Sequence, residues 1–222
     1  MENILLSWSG GKDSALALYA LRQDPRFRIL ALLTTVTEAY DRISMHGVRR
    51  ALLEQQAACL GLPLEIVLIS KDASNEEYEA NMGRALEKYR QAGLSGVAFG
   101  DIFLEDLRHY REEKLSGMDL KGIFPLWKQD TRELAESFLR LGFRARLTCV
   151  DTQVLDGRFA GREYDRQLLT ELPEGIDPCG ENGEFHSFVS AGPVFDCEIA
   201  YTLGEKVLRE NRFTYCDLLP LE

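Results

Sequence analysis

Ile4-Leu5-Leu6-Ser7-Trp8-Ser9-Gly10-Gly11-Lys12-Asp13-Ser14, continued by Ala15-Leu16-Ala17-Leu18-Tyr19-Ala20-Leu21, is the stretch from which the rest of the chain is read. Residues 4–7 are apolar and of strand length. Residues 12–21 form a helical segment that is apolar nearly all round, as expected of a helix packed deep against a sheet. A Gly-Gly turn between such a strand and such a helix is a phosphate site by construction. Glycines let backbone N–H groups close on an anion, and the helix start adds unpaired donors and its dipole. Ser9 and Ser14 contribute hydroxyls and Lys12 a charge. Two rival loops are excluded. The Walker A pattern requires Gly where Leu6 stands and Ser or Thr where Asp13 stands, and no G-x-G-x-x-G is present.

Outward from this loop, strands alternate with helices. Residues 28–36 read as a second strand, 46–60 as a helix closed by Gly61 and Pro63, and 64–69 as a third strand. Ser74 and Glu77 make a capping box for a helix carrying Tyr78, Met82, Ala85 and Tyr89. Residues 96–99 read as a fourth strand, 102–113 as a helix, and Asp130 with Glu133 as another helix start. Residues 143–150 follow as a fifth strand. The alternation predicts an α/β fold, a doubly wound parallel sheet over residues 1–151. Beyond Asp151, Gly and Pro become denser and the segments 185–190, 198–208 and 213–218 read as strands. Residues 152–222 are therefore expected to form a smaller, mostly β, C-terminal subdomain.

The 26 basic and 36 acidic residues give a net charge of −10, which argues against broad nucleic-acid binding. The start of the chain lacks a basic leader, and no apolar run is long enough to span a membrane. Five cysteines at wide spacing, with no C-x-x-C pair, argue against a disulfide framework or a zinc knuckle and for a reduced, cytoplasmic protein.

The motif S-G-G-K-D-S at residues 9–14 resembles the PP-loop of the N-type ATP pyrophosphatases, which split ATP between its α and β phosphates and adenylate an oxygen of their substrate. That resemblance implies that Ser9, Gly10, Gly11, Lys12, Asp13 and Ser14 grip the leaving pyrophosphate with Mg2+. A second motif narrows the choice. Gly180-Glu181-Asn182-Gly183-Glu184-Phe185-His186-Ser187 is similar to the E-N-G-E-[FY]-H-T signature of the diphthine–ammonia ligase family, with Ser in place of Thr. Met45-His46-Gly47-Val48 and residues 99–106 resemble the bacterial-type members, so the likeness spans almost the whole chain. It implies adenylation of a carboxylate by ATP, followed by displacement of AMP by ammonia. The acceptor is diphthine on elongation factor 2 only in an archaeal or eukaryotic source. No glutaminase segment precedes the first strand, and a homodimer is a candidate assembly.

Ligands of open α/β sheets sit beyond the carboxyl ends of the strands. The loop, Thr34–Thr37, Gly100-Asp101 and 149–151 are expected there. Thr34 is a candidate nucleotide contact or simply a β-former. Asp101 is a candidate, with Asp13, for metal or ribose, or a cap for the following helix. Arg108 and Arg111, three apart, either meet an anion or pair with Glu105 and Glu112. The resemblance makes Glu181, Glu184 and His186 catalytic candidates beside Lys12 and Asp13, and Asn182, Glu184 and Arg108 substrate contacts. Trp127 or Phe185 is a candidate aromatic face for a quaternary ammonium. Cys179 is adjacent, but adenylation needs no covalent enzyme intermediate. Two other classes fit the loop: an enzyme that thiolates or amidates a nucleobase or small metabolite, and a non-enzymatic nucleotide sensor.

Overall fold

The computed structural model describes residues 1–43 and 46–221. Strand β1 (Glu2–Ser7) is the centre of a parallel sheet, flanked by β2 (Phe27–Thr37) and β5 (Leu94–Ala98). Its side chains alternate between two cores. Ile4 and Leu6 face a large cluster with helices α1 (Lys12–Gln23) and α2 (Arg50–Leu60). Leu5 faces a smaller one with α3 (Asn75–Arg90) and α4 (Glu105–Ser116). Burial on both faces is why the strand reads as an unbroken apolar run. Strand β4 (Leu64–Ile69) lies parallel to β2 on its outer side. The two-residue β3 (Arg42–Ile43) turns back antiparallel to the tip of β2, and β6 (Lys121–Ile123) closes the other edge beside β5.

A second sheet of four antiparallel strands is ordered β8-β7-β10-β9, built from β7 (Arg144–Asp151), β8 (Phe185–Ala191), β9 (Tyr201–Arg209) and β10 (Phe213–Pro220). Helix α5 (Thr131–Arg140) buries Leu134, Ala135 and Phe138 before β7, and the short α6 (Arg166–Glu171) lies between β7 and β8. The α/β fold with a smaller antiparallel sheet is as expected, but two assignments change. The segment 143–150 belongs to the second sheet, so residues 149–151 do not lie at the carboxyl edge of the first; Asp151 instead pairs with Arg212 at 2.6 Å. The fifth parallel strand is β6, whose three residues are too few to carry a periodic signal.

Three smaller differences have local causes. Helix α2 starts at Arg50 rather than 46, which frees His46 from the helix. Helix α4 starts at Glu105 because the N–H groups of Ile102 and Phe103 are engaged by Glu181, at 2.6 and 3.3 Å. The capping box at Ser74 is half formed: Ser74 accepts from Glu77 N, but the Glu77 carboxylate turns to Ser70. The expectation of no disulfide is overturned. Cys59 of α2 and Cys197, 138 residues later, are bonded, with Cα atoms 5.2 Å apart. Such a contact between distant segments leaves no trace in cysteine spacing. No helix among the described residues is long and apolar enough to cross a membrane.

Candidate active site

The loop after β1 is shaped by what presses on it. Gly10 has φ +74°, and a Cβ there would stand 2.7 Å from Gln56 Oε1. Gly11 is the N-cap of α1 and, having no side chain, makes no cap hydrogen bond; Lys12 N is already taken by Ser187 Oγ, so an anion would meet a helix start that is only partly open. Within the loop, Gly11 N donates to Ser9 Oγ (3.2 Å) and Ser14 Oγ to the Gly11 carbonyl (2.8 Å). Gln56, wholly buried in α2, holds the turn from outside. It accepts from Trp8 Nε1 and donates to the carbonyls of Gly10 and of Val189 in β8. Nothing in the sequence singles Gln56 out, because one polar residue in a helix has many ordinary explanations.

Lys12 is 2% exposed and turned inward. Its ammonium donates to both Asp13 carboxylate oxygens (2.7 and 2.9 Å) and to the Cys179 carbonyl, with the rings of Phe185 and Tyr164 close by. Burial opposes the charge, but Asp13 and the neighbouring acidic groups more than offset it, so Lys12 is held as an ammonium.

Gly100 is the second close approach. A Cβ there would lie 2.8 Å from the backbone of Asp13, so only glycine lets the end of β5 reach the first turn of α1. Asp101 follows. Its Oδ2 is buried and has no aligned hydrogen bond, although Arg111 stands 3.2 Å away. Burial raises its pKa; Arg111 pulls the other way and Asp13 adds to the rise. Glu181, which spans from the signature loop to the start of α4, is pushed up to about 7 by burial, against the N–H group of Ile102 and with help from Asp13. Among the described residues no group of three or more His, Cys, Asp or Glu is arranged to hold a metal ion.

The signature loop turns through Gly180 and Gly183, at φ +67° and +87°. Glu184 is buried (4% exposed) and its carboxylate is fully engaged by that loop, accepting from Asp177 N, Asn182 N and Asn182 Nδ2 at 3.0–3.1 Å. The loop then enters β8, which is bonded to the phosphate loop itself. Val189 N donates to the Gly10 carbonyl (2.9 Å) and Lys12 N to Ser187 Oγ (3.2 Å). His186 packs against His46 with ring centroids 4.3 Å apart and ring planes tilted by 36°. Met45, its neighbour in the sequence motif, lies outside the described residues. The Cys179 thiol is buried and pushed up to about 12 by burial, which suits no nucleophile.

Two further candidates lie beside the cleft. Arg108 pairs with Glu112 (2.8 Å) and lies over Phe124 and Trp127; Arg111 lies over Phe99. The Trp127 face thus meets a guanidinium, as the Phe185 face meets Lys12, so neither offers that face to a ligand cation. A cavity of about 510 Å³ opens at the carboxyl ends of β1, β2 and β5, between α3 and α4. Ser9, Thr34, His46, Met82, Phe99 and Arg111 are among its walls, and Thr34 is 3% exposed.

A glycine loop joining the first strand of a parallel sheet to its first helix, partly open at the helix start and beside a nucleoside-sized cavity, defines a PP-loop nucleotide-binding protein. The comparisons with known proteins agree. Residues 1–121 match the family model of the diphthamide synthase N-terminal domain and residues 130–218 that of the C-terminal domain. The chain belongs to the diphthamide synthase family and is an ATP-using member of the PP-loop superfamily. No curated protein matches it. Among solved structures, it is similar to phosphoadenylyl-sulfate (PAPS) reductase from Candida auris in a phosphate complex. The likeness is 15% identity over 63% of this chain and 73% of that one, with a TM-score of 0.39.

Proposed function

We propose that the chain is an AMP-forming carbon–nitrogen ligase that adenylates a carboxylate and passes the acyl group to ammonia. The acceptor carboxylate oxygen attacks the α-phosphorus of ATP, the bond to the β-phosphate oxygen breaks, and pyrophosphate leaves. Ammonia then forms the C–N bond, AMP leaves with the C–O electron pair, and a proton is released. The observation that carries this reading is the bonding of β8 to the phosphate loop, through Val189 to Gly10 and Ser187 to Lys12. These bonds bring the strand that follows the family signature against the ATP loop, which supports a transfer between two substrates bound side by side.

In this reading the backbone of Ser9–Ser14 holds the β and γ phosphates and the cavity beside Thr34 holds the nucleoside. Asp101, whose buried Oδ2 has no aligned hydrogen bond, and Asp13, whose carboxylate holds the Lys12 ammonium, are the residues that would hold a magnesium ion, which would supply charge neutralisation for the phosphates. Glu181, poised near neutrality and reaching between the two loops, is the best placed proton acceptor for the incoming ammonium. Glu184 and Asn182 hold the shape of the acceptor side, which consists of residues 152–222 together with β7. Arg108, over Phe124 and Trp127, is a further candidate contact for the acceptor. Such a reaction belongs in the cytoplasm, where ATP is. The acceptor is a carboxylic acid, diphthine where the source makes it.

The test is to incubate the protein with ATP, Mg2+, ammonium and candidate acids, and to resolve the nucleotides. AMP and pyrophosphate formed in step with an amide are expected. ADP and phosphate as main products sink the proposal. AMP formed without ammonium dependence leaves adenylation standing and removes the ligase step.

A further inference from the structure

The phosphate loop presents a charge problem. It is read as holding a polyanion, yet its one lysine is buried and committed to Asp13 and the Cys179 carbonyl. The loop's backbone donors and the α1 dipole offer partial charges only. Beside the magnesium ion proposed above, further positive charge for the anion can come only from elements that reach the loop, and Arg111 in the cavity wall is one.

The packed pair of His46 and His186, its ring planes tilted by 36°, is a second such element. His46 Cε1 lies 3.5 Å from where a Cβ on Gly11 would sit, next to the helix start. Nδ1, bonded to that carbon, is buried and has no hydrogen-bond partner among the described residues. The same ring forms part of the cavity wall beside Ser9. His186 packs against it at 4.3 Å, one residue before the Ser187 that accepts from Lys12 N.

We propose that His46 and His186 form an anion-responsive imidazole pair, which takes up one proton from solvent when the phosphates of the nucleotide or the pyrophosphate product enter the loop. The proposal rests on the reading of residues 9–14 as the phosphate site. The packing limits the pair to one proton, because two imidazolium rings at this separation repel.

The surroundings of the pair fit this use. Lys12 of α1 is the charge that acts on both rings. Cys149 of β7 is the register partner of His186, and the Tyr215 ring of β10 fills the space a side chain at Gly47 would need. Both groups stay neutral near pH 7, the thiol pushed up to about 12 by burial and the phenol raised for the same first reason. Arg42 donates to the Gly47 carbonyl and shares Asp217 with Arg49, at 2.7 and 2.6 Å, so this cluster leaves one positive charge near the pair. Burial, then Lys12, holds His186 down to about 4; burial, then His186, holds His46 well below its ordinary value. A phosphate placed within about 4–6 Å reverses that balance, since a nearby opposite charge favours the protonated ring.

The chain has three histidines, and His109 is exposed on α4, so it serves as an internal reference. Long-range proton–nitrogen NMR of the full chain at pH 7, titrated with inorganic pyrophosphate, reads each ring directly. The expected result is two neutral rings that together shift by one proton as the loop amides saturate, while the His109 signal stays in place. In parallel, His46→Gln is expected to weaken pyrophosphate binding at pH 6 by about tenfold, with a smaller loss at pH 8.5. Saturated loop amides with both rings still neutral overturn the proposal and leave the proposed function standing. Two rings already cationic before pyrophosphate is added also overturn it. A loop that binds neither pyrophosphate nor ATP overturns the function and this proposal together.

Discussion

The phosphate loop and the signature loop both turn on paired glycines, yet they spend their polar groups in opposite ways. In the phosphate loop, Gly11 has no side chain with which to cap α1, and apart from the Lys12 N bond to Ser187 the helix start is left to a ligand. In the signature loop, Glu184 alone collects three donors, and Asp177 Oδ1 accepts from Cys179 N and Glu181 N. One region is built to receive a ligand and the other to keep a fixed shape. Family motifs therefore mix two kinds of residue, and a carboxylate inside a motif is not by that fact a ligand contact.

The largest expected effects fall on the receiving loop. Asp13→Ala and Ser14→Ala should each lower ATP turnover by about 10²–10³-fold, the scale for losing one preorganised polar group at a reacting phosphate. Ser14→Ala should leave the fold intact, whereas Asp13→Ala also strips the buried Lys12 ammonium of its counter-ion and should cost stability as well. Pyrophosphate release measured beside a thermal melt separates the two outcomes. Full activity in both variants would reduce the loop to a turn and erase the contrast.

Next comes the joint that holds the two loops together. Gln56 of α2 bonds both Gly10 and Val189, and Cys59, one turn further along the helix, is tied to Cys197 beyond β8. Closing so long a chain segment should contribute about 2–4 kcal/mol, or roughly 4–16 °C in Tm for a protein of this size. Melts with and without dithiothreitol, and of Cys59→Ser, read this directly. An unchanged Tm under reduction would mean that the neighbouring Asp196 N to Cys59 carbonyl bond, at 2.7 Å, already suffices.

Within the rigid loop, Glu184→Gln is expected to cost about 1–3 kcal/mol, because a donating amide replaces one of the acceptor oxygens and meets an N–H group. ATP use and acceptor use should then fall together. A selective loss of acceptor use would move Glu184 from shape-keeping to substrate contact and break the comparison.

How much of this was legible beforehand follows the same division. The strand–loop–helix unit at residues 4–21 was plain, since local sequence alone dictates it: apolar run, glycine turn, apolar helix. The α/β alternation was equally clear for long elements and failed for β6, whose pairing is all it has. The strand at 144–151 was visible as a strand, but its sheet was not, because sheet membership is decided by partners far along the chain. The site contacts that were missed, Gln56 and His46, are single residues brought to the loop by tertiary packing. His46 lay inside a noted motif, yet its proximity to Gly11 depends on α2 starting later than its apolar pattern implies.

The smallest effect, and the finest test of the contrast, is the pH dependence of stability at Glu181, the one signature carboxylate that reaches out of its own loop. Its ordinary value is 4.5 and its folded value about 7, with burial the main cause. Between those two values the folded chain holds a proton that the unfolded chain has lost, so stability falls as pH rises from about 4.5 to about 7. His186 works the other way. Its folded value of about 4 lies below the ordinary 6.5, so stability falls as pH drops through that window. His46, also held below its ordinary value, adds to the His186 contribution, so the wild-type profile sums opposing slopes and cannot by itself reveal that of Glu181. Glu181→Gln retains an acceptor for the N–H groups of Ile102 and Phe103 but cannot titrate. Relative to wild type it should therefore gain stability steadily between pH 5 and pH 7.5. Glu181 is only half-buried, and after discounting for solvent screening the gain is on the order of 1 kcal/mol, about 2–4 °C in Tm. A Tm difference that stays flat across this range would mean that Glu181 is an ordinary ionised carboxylate, pinned like Glu184 and unsuited to accept a proton from ammonium.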